Sequence, residues 1–476
     1  MPAALAWLLV AVALLGLTWA VLVPAWQAPD ENRHFAYAQS LAERFAMPGD
    51  ADRLEYSTEQ QTAIGAVNAD QVAGIPATKP EWSRQAYERW LDQQASAPDG
   101  QRDDGGGANP ASSNPPLYYL YASLAYRAAG GDIFERTVAM RVFGLLWLLV
   151  TTIGAWLLAG ELFGRDRTLQ FVAAGLAGLV PMMSFISASI SPDGMMYALW
   201  TLFLWLGVRA LRRGLDVATA LALAGVVGVA LTVKGTSYAL VPALAFVVVV
   251  DLWRRRREPK ARGIAVVGSA ALALAVTAGL WALIARSLDR TASGQLVGTD
   301  GGAVFNLKQF LGYVWQFYLP KLPFQEPWPT SVGLPLYEIF LKGAWGTFGW
   351  LEVPMAEAVY VLLAFLTLTA FVAAGVALWR TRASFDLPIA VFFLLVLAAL
   401  LAGLHWTEYH YILQGNVGFM QGRYLLPLIG LGGAVLAKAL TLVRRDWRPT
   451  AVAAVVGLLV ALQLYSLGLV IERYYA

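Results

Sequence analysis

Residues 29–37 read Pro29-Asp30-Glu31-Asn32-Arg33-His34-Phe35-Ala36-Tyr37, and they follow within a few residues an uncharged apolar run at 4–23. Such a run is long enough to cross a ~30 Å hydrocarbon core as a helix, so the stretch marks where the chain leaves a membrane. Two adjacent carboxylates are costly to place in apolar surroundings. At a membrane rim they are therefore either a helix cap or a working acid–base pair. The run itself has no basic leader and exceeds a signal-peptide core, so it reads as a span that is kept.

Working outward, the 476-residue chain is 58% hydrophobic and 14% charged, with a mean hydropathy of +0.55. That profile excludes an ordinary soluble domain. Ten further apolar runs recur near 138–160, 168–187, 194–211, 217–233, 236–253, 263–285, 356–379, 387–404, 424–441 and 449–469. The expected fold is all-α and polytopic: about 11 transmembrane helices in a single domain over 1–476, with long outer loops at 24–137 and 286–355. There are no cysteines, which removes disulfides, thiolate metal sites and thiol nucleophiles. The net charge of +3 is spread over many loops and gives no basis for nucleic-acid binding.

Basic residues gather in alternate connections: Arg165 and Arg167; Arg209, Arg212 and Arg213; Arg254 to Arg257 with Lys260 and Arg262; Arg380 and Arg382; Lys438, Arg444, Arg445 and Arg448. The positive-inside rule makes that side cytoplasmic. The opposite short connections carry only Lys234 and Arg423 as basic residues, with the acids Asp193 and Glu408. All three histidines, His34, His405 and His410, fall on that outer side. Histidine also collects at interfaces for want of a place in apolar helices, so their sidedness alone assigns no role.

A loop as long as 24–137 carries structure or function of its own. Phe35, Tyr37, Ala38, Leu41, Ala42 and Phe45 recur at helical spacing, which predicts a short amphipathic helix in the membrane interface, ended by Pro48 and Gly49. A second helical piece is expected around 80–96, and the Asp, Gly and Ser-rich stretch at 97–113 reads as a flexible lid or spacer. Asn114-Pro115-Pro116-Leu117-Tyr118-Tyr119-Leu120-Tyr121 then docks at the interface and leads to the second span. The second outer loop holds Trp315, Tyr318, Pro320, Pro323, Trp328 and Pro329 and closes on Gly343-Ala344-Trp345-Gly346-Thr347-Phe348-Gly349-Trp350. These aromatics form either an interfacial belt or a lipid or sugar platform.

Asp30 sits where an N-cap aspartate belongs, and capping stands beside catalysis as its reading. Asp193, in Ser191-Pro192-Asp193-Gly194 at the mouth of the fourth span, has the same two readings. Lys234 lies in a tight outer turn, where it snorkels or binds an anion. Arg423, in Gln421-Gly422-Arg423-Tyr424, offers a planar fork suited to phosphate oxygens. Arg141, near the outer end of the second span, reads as a snorkelling side chain. Outer acids near outer cations at an aromatic-lined boundary suit a reaction on a lipid phosphate.

Pro29-Asp30-Glu31 with His34-Phe35, the Asn114 to Tyr119 stretch, Ser191-Pro192-Asp193, Lys234, Trp345 to Trp350 and Gln421 to Tyr424 resemble the GT-C superfamily of polyprenyl-phosphate-dependent glycosyltransferases, in a bacterial branch of it. The resemblance spans almost the whole chain, through the order and sidedness of short motifs. It implies a membrane-embedded transferase with Asp30, or less directly Glu31, as base and Asp193 as an assisting acid. His34, Lys234, Arg423, Tyr424 and Trp345 are the implied substrate-binding positions. It also implies a polyprenyl-phosphate-linked sugar donor, a glycan or lipid acceptor, surrounding membrane lipids, and an outward-facing site in the bacterial cytoplasmic (inner) membrane. A divalent metal stays open, since some members need one. No large soluble domain follows the last span, a departure from the oligosaccharyltransferase type that makes protein glycosylation less expected. Two rivals remain: a lipid-linked glycan polymerase or ligase, and a transporter or flippase, whose charges belong near the midplane of the spans.

Overall fold

Uninterrupted apolar runs give helices, and in the computed structural model helices occupy all eleven predicted positions. The structure describes residues 2–80, 83–95, 101–288, 290, 305–328, 335–384 and 386–476. Among them nine helices are long and apolar enough to cross a membrane. The first is Ala3–Leu22, the second Ile133–Leu162, the fourth Pro192–Arg213, the sixth Gly235–Arg254 and the seventh Lys260–Ser287. The eighth to eleventh are Glu357–Arg380, Leu387–Leu413, Gly422–Leu440 and Arg448–Tyr475. The fifth, Val217–Leu231, is a shorter apolar helix. The third is bent by 55° between Arg167–Leu179 and Pro181–Ser187. Pro181 explains the bend, because the residue before a proline is pushed out of the helical region, and Val180 is extended. Gln463 of the last span repairs the break, donating to Leu179 O at 3.1 Å and Ser184 Oγ at 2.7 Å.

The fourth span lies at the centre, packed on the second span. In lipid there is no water to drive helices together, so close contact depends on small residues. Thr201 of the fourth span sits between Gly154 and Gly430: a Cβ on either glycine would lie 3.0 Å or 2.9 Å from Thr201 Cγ2. The two ends of this helix are chemically opposite. Asp193 opens it, while Arg213 closes it and pairs with Glu161 at 2.8 Å.

The first outer loop is a packed cap. Its helix Glu31–Arg44 forms where the periodicity predicts one and is buried against protein on nearly all sides. It ends at Arg44 with Phe45 in a left-handed conformation, before Pro48. The helix Arg84–Ala95 forms where a second piece was expected. Residues 101–113 are pinned, contrary to the reading as a flexible lid; residues 97–100 of that stretch lie outside the described residues. Gly105 packs where a Cβ would stand 2.6 Å from Ser57 N, and Gly106 O accepts from Gly49 N at 2.9 Å. Leu117–Ala129 is a helix whose Tyr118 and Tyr119 are buried in protein. Arg473 of the last span clasps the loop through Val72 O at 3.1 Å and Ile75 O at 2.9 Å.

A buried ion pair ties this cap to the spans. Glu31 is fully buried, and its carboxylate meets Arg141 through Nε–Oε1 at 2.7 Å and Nη2–Oε2 at 2.5 Å. Trp26 N and Ile190 N complete the coordination of Glu31 at 3.0 Å and 3.1 Å. Arg141 spends its other donors on the carbonyls of Ala20, Val23 and Pro24, which end the first span. Arg141 therefore does not snorkel; it turns inward and joins the first span, the cap and the second span.

The second outer loop meets the tenth span at a glycine-to-glycine crossing. A Cβ on Gly343 would stand 2.7 Å from Gly422 N, so the segment before Trp345 packs on the backbone of the Gln421–Arg423 turn. Two-residue strands then pair antiparallel, Thr347 with Pro354 and Phe348 with Val353. Pro329 lies outside the described residues.

Candidate functional site

Asp30 begins the cap helix, but it does so with its backbone. Its φ of 61° is left-handed, a conformation aspartate tolerates better than most residues, and its carbonyl accepts from Arg33 N and His34 N. The side chain makes no capping bond, which corrects the N-cap reading. Its Oδ1 instead takes Arg33 Nη1 at 2.7 Å, and Oδ2 lies 3.6 Å from Arg423 Nη2. About a third of this side chain is exposed, so the carboxylate is reachable. Burial pushes its pKa up, but the facing His34, Arg423 and Arg33 outweigh this and hold it below 3.8.

The fourth span supplies the next group. Ser191 caps this helix through Asp193 N at 3.3 Å, with Pro192 in the first turn, so Asp193 is spared that duty. The buried Asp193 carboxylate pairs with Lys234, which arrives in extended conformation from the turn between the fifth and sixth spans. One helical turn beyond Asp193, Tyr197 donates to Arg423 O at 3.2 Å. The fourth span thus holds both Lys234 and the Arg423 turn in register. Tyr424 lies beside both cations, its ring centroid 5.8 Å from Lys234 Nζ and 5.4 Å from Arg423 Cζ.

Arg423 itself is buried, and its Nε has no hydrogen-bond partner among the described residues. A buried guanidinium with an unused donor, facing a carboxylate across 3.6 Å, has capacity for one more acceptor.

His34, one turn after Asp30, reaches Tyr119 Oη through Nδ1 at 2.9 Å. Asn114 donates to the same oxygen at 3.1 Å, and Tyr37 stacks on Tyr119 with centroids 3.8 Å apart. Leu117 N bonds Thr232 O at 3.3 Å, which fastens the Asn114 stretch to the Lys234 turn. Burial lowers the His34 pKa from 6.5 to about 4, against the pull of Asp30, so the imidazole is neutral at pH 7. Between these values the unfolded chain binds the proton and the folded chain refuses it, so acidification favours unfolding. The detergent-solubilised protein should lose up to about 3 kcal/mol of stability through this group as pH falls from 6.5 to 4. His34→Gln should lack that part of the loss in thermal midpoints measured across the window; the same pH dependence in both proteins would refute it.

The structure brings together Asp30, Asp193, His34, Lys234, Arg423 and Tyr424. It does not bring Glu31 to them as a base, because every oxygen of Glu31 is taken inside the ion pair with Arg141. Trp345 stands apart as well: its indole donates to Thr367 Oγ1 at 3.2 Å in the eighth span. Trp350 of the same motif does reach the cap, donating to Trp26 O at 3.2 Å with Arg33 6.0 Å from its ring. Arg33, Tyr119 and Tyr197 were not singled out from the sequence as site residues. Arg33 and Tyr197 carried a signal, standing three and four residues after Asp30 and Asp193 and so on the same helix faces. The set does not suit a divalent metal: each carboxylate is matched to cations, and among the described residues no cluster of three His, Asp or Glu could hold one.

Among curated proteins nothing matches this sequence significantly. Among solved structures, the apo oligosaccharyltransferase of Archaeoglobus fulgidus aligns over 98% of this chain and 56% of its own, at 13% identity and a TM-score of 0.47. ArnT from Cupriavidus metallidurans bound to undecaprenyl phosphate aligns over 92% of this chain and 61% of its own, at 17% identity and a TM-score of 0.43. The chain thus spans little more than half the length of these structures. One family model matches residues 13–431, most of the molecule, and the chain belongs to that family, the predicted membrane proteins of DUF2142.

Proposed function

We propose that the protein is an inverting GT-C-type glycosyltransferase that moves a sugar from a polyprenyl-phosphate carrier to a hydroxyl of a glycan or lipid acceptor, on the outer face of the bacterial cytoplasmic membrane. The observation that carries this reading is the meeting of a reachable carboxylate, Asp30, with the buried and incompletely satisfied guanidinium of Arg423. The outward orientation is supported by the contrast between the acidic and basic ends of the fourth span, under the positive-inside rule.

In this mechanism the lipid phosphate lies against Arg423, with Lys234 near enough through Tyr424 to share the charge. Asp30 removes the acceptor proton while the acceptor oxygen forms its bond to the anomeric carbon. The bond from that carbon to the phosphate oxygen breaks on the opposite face, which inverts the configuration. The leaving phosphate departs as a stable anion, so it needs cations rather than an acid. A phosphate that engages Arg423 also draws it from Asp30, which makes Asp30 more basic as the donor binds.

Arg423→Lys keeps the charge and removes the fork. Its apparent affinity for the donor should fall about tenfold, at normal protein levels. Transfer assayed in membranes over a range of labelled polyprenyl-phosphate sugar checks this; an unchanged apparent affinity would count against a bidentate phosphate contact.

A further inference from the structure

Glu408 and His405 stand outside that machinery, at the outer end of the ninth span, and both are buried. Glu408 has no ion pair among the described residues, although a buried carboxylate without a cation is costly and is retained only for a reason. Its two oxygens are both engaged. Tyr313 donates its hydroxyl to Oε2, and Met420 N–H donates to Oε1 at 2.9 Å. His405 lies between Tyr313 Oη, 2.8 Å from Nδ1, and Tyr318 Oη, 2.7 Å from Nε2.

Proton counting fixes the direction of this chain. Tyr313 has one hydroxyl proton and gives it to Glu408, so it accepts from Nδ1–H of His405. Nε2 then accepts from the Tyr318 hydroxyl. The donations run one way from Tyr318 through His405 and Tyr313 to Glu408, and Met420 N–H donates to the other oxygen of the same carboxylate.

Met420 stands three residues before Arg423, at the entrance to the Gln421–Arg423 turn. The same cluster supports that turn by a second route. Phe317 packs on His405 at 4.9 Å and on Phe340 at 5.2 Å, and Phe340 belongs to the segment whose backbone crosses Gly422. Among the described residues the buried acid's one backbone hydrogen bond is thus with the segment that carries Arg423.

We propose that Glu408, held by Tyr318, His405 and Tyr313, is a positioning residue that sets the Gln421–Arg423 turn, and through it the phosphate contact of Arg423. This rests on the reading of Arg423 as the phosphate ligand. Glu408→Leu removes the acceptor for Met420 N–H and also removes an uncompensated buried charge. A merely structural Glu408 predicts altered stability with unaltered binding.

The test measures binding of undecaprenyl phosphate to the purified full-length protein by native mass spectrometry, beside thermal midpoints. Arg423→Ala serves as the reference. Glu408→Leu should bind at least about tenfold more weakly than wild type without a lower midpoint. Glu408→Gln, which can still accept from Met420, should bind within about threefold of wild type. Glu408→Leu binding like wild type, or Glu408→Gln weakened as much as Glu408→Leu, overturns the proposal. If Glu408→Leu does not assemble, Tyr313→Phe takes its place: it should also bind about tenfold more weakly, and wild-type binding by it overturns the proposal. Equal binding by wild type and Arg423→Ala is a different failure, of Arg423 as phosphate ligand.

Discussion

Asp30→Asn should leave the protein at normal abundance in the membrane and lower sugar transfer by about 10²–10⁴-fold, the range a positioned general base contributes. The substitution separates two roles that the sequence left joined. Asp30 holds a left-handed φ of 61°, which asparagine tolerates as well, and its carbonyl rather than its carboxylate begins the cap helix. Asparagine also fits between Arg33 and Arg423, though as a neutral acceptor. What it cannot do is take a proton from an acceptor hydroxyl. The check is transfer of labelled sugar in membranes normalised to the amount of protein. Full activity would return Asp30 to a purely electrostatic role beside Arg423.

Glu31→Gln should act in the opposite way, by costing stability. It leaves Arg141 buried with its charge uncompensated, and breaking a buried pair from one side costs roughly 3–5 kcal/mol. The three carbonyls of Ala20, Val23 and Pro24 still accept from Arg141, but they carry no charge to balance it. The thermal midpoint in detergent should fall sharply, and the double substitution Glu31→Met with Arg141→Met should recover much of the loss. A Glu31→Gln protein that keeps its midpoint but loses transfer would instead place Glu31 in the chemistry.

The contrast between these neighbours shows what a sequence can and cannot disclose here. The spans were legible because a membrane accepts little but apolar helices, and the third span was legible even with its bend at Pro181. The acidic pair was legible as unusual, but its division of labour was not. Glu31 finds Arg141 110 positions away, and nothing local to either residue announces the other. A single arginine in an apolar helix reads as snorkelling until its partner is seen. The stretch at 97–113 read as flexible because it is rich in Asp, Gly and Ser; Gly105 and Gly107 are there because the chain packs backbone on backbone against Ser57 and Leu54. Asp193, Lys234 and Arg423 were legible as charges in the short connections that lack the basic clusters. Their convergence required the fourth span, where Asp193 and Tyr197 hold one partner each. His405 and Glu408 were visible as polar residues near the end of an apolar run, but the tyrosines that bind them come from the distant second loop.

The most direct measurement of the central claim is a single turnover on purified protein in lipid vesicles, with the polyprenyl-phosphate sugar prebound and the acceptor added to start the reaction. The account predicts that Asp30→Asn retains the donor as tightly as wild type yet releases free polyprenyl phosphate at least about a hundredfold more slowly. Release by Asp30→Asn within about threefold of the wild-type rate would contradict it.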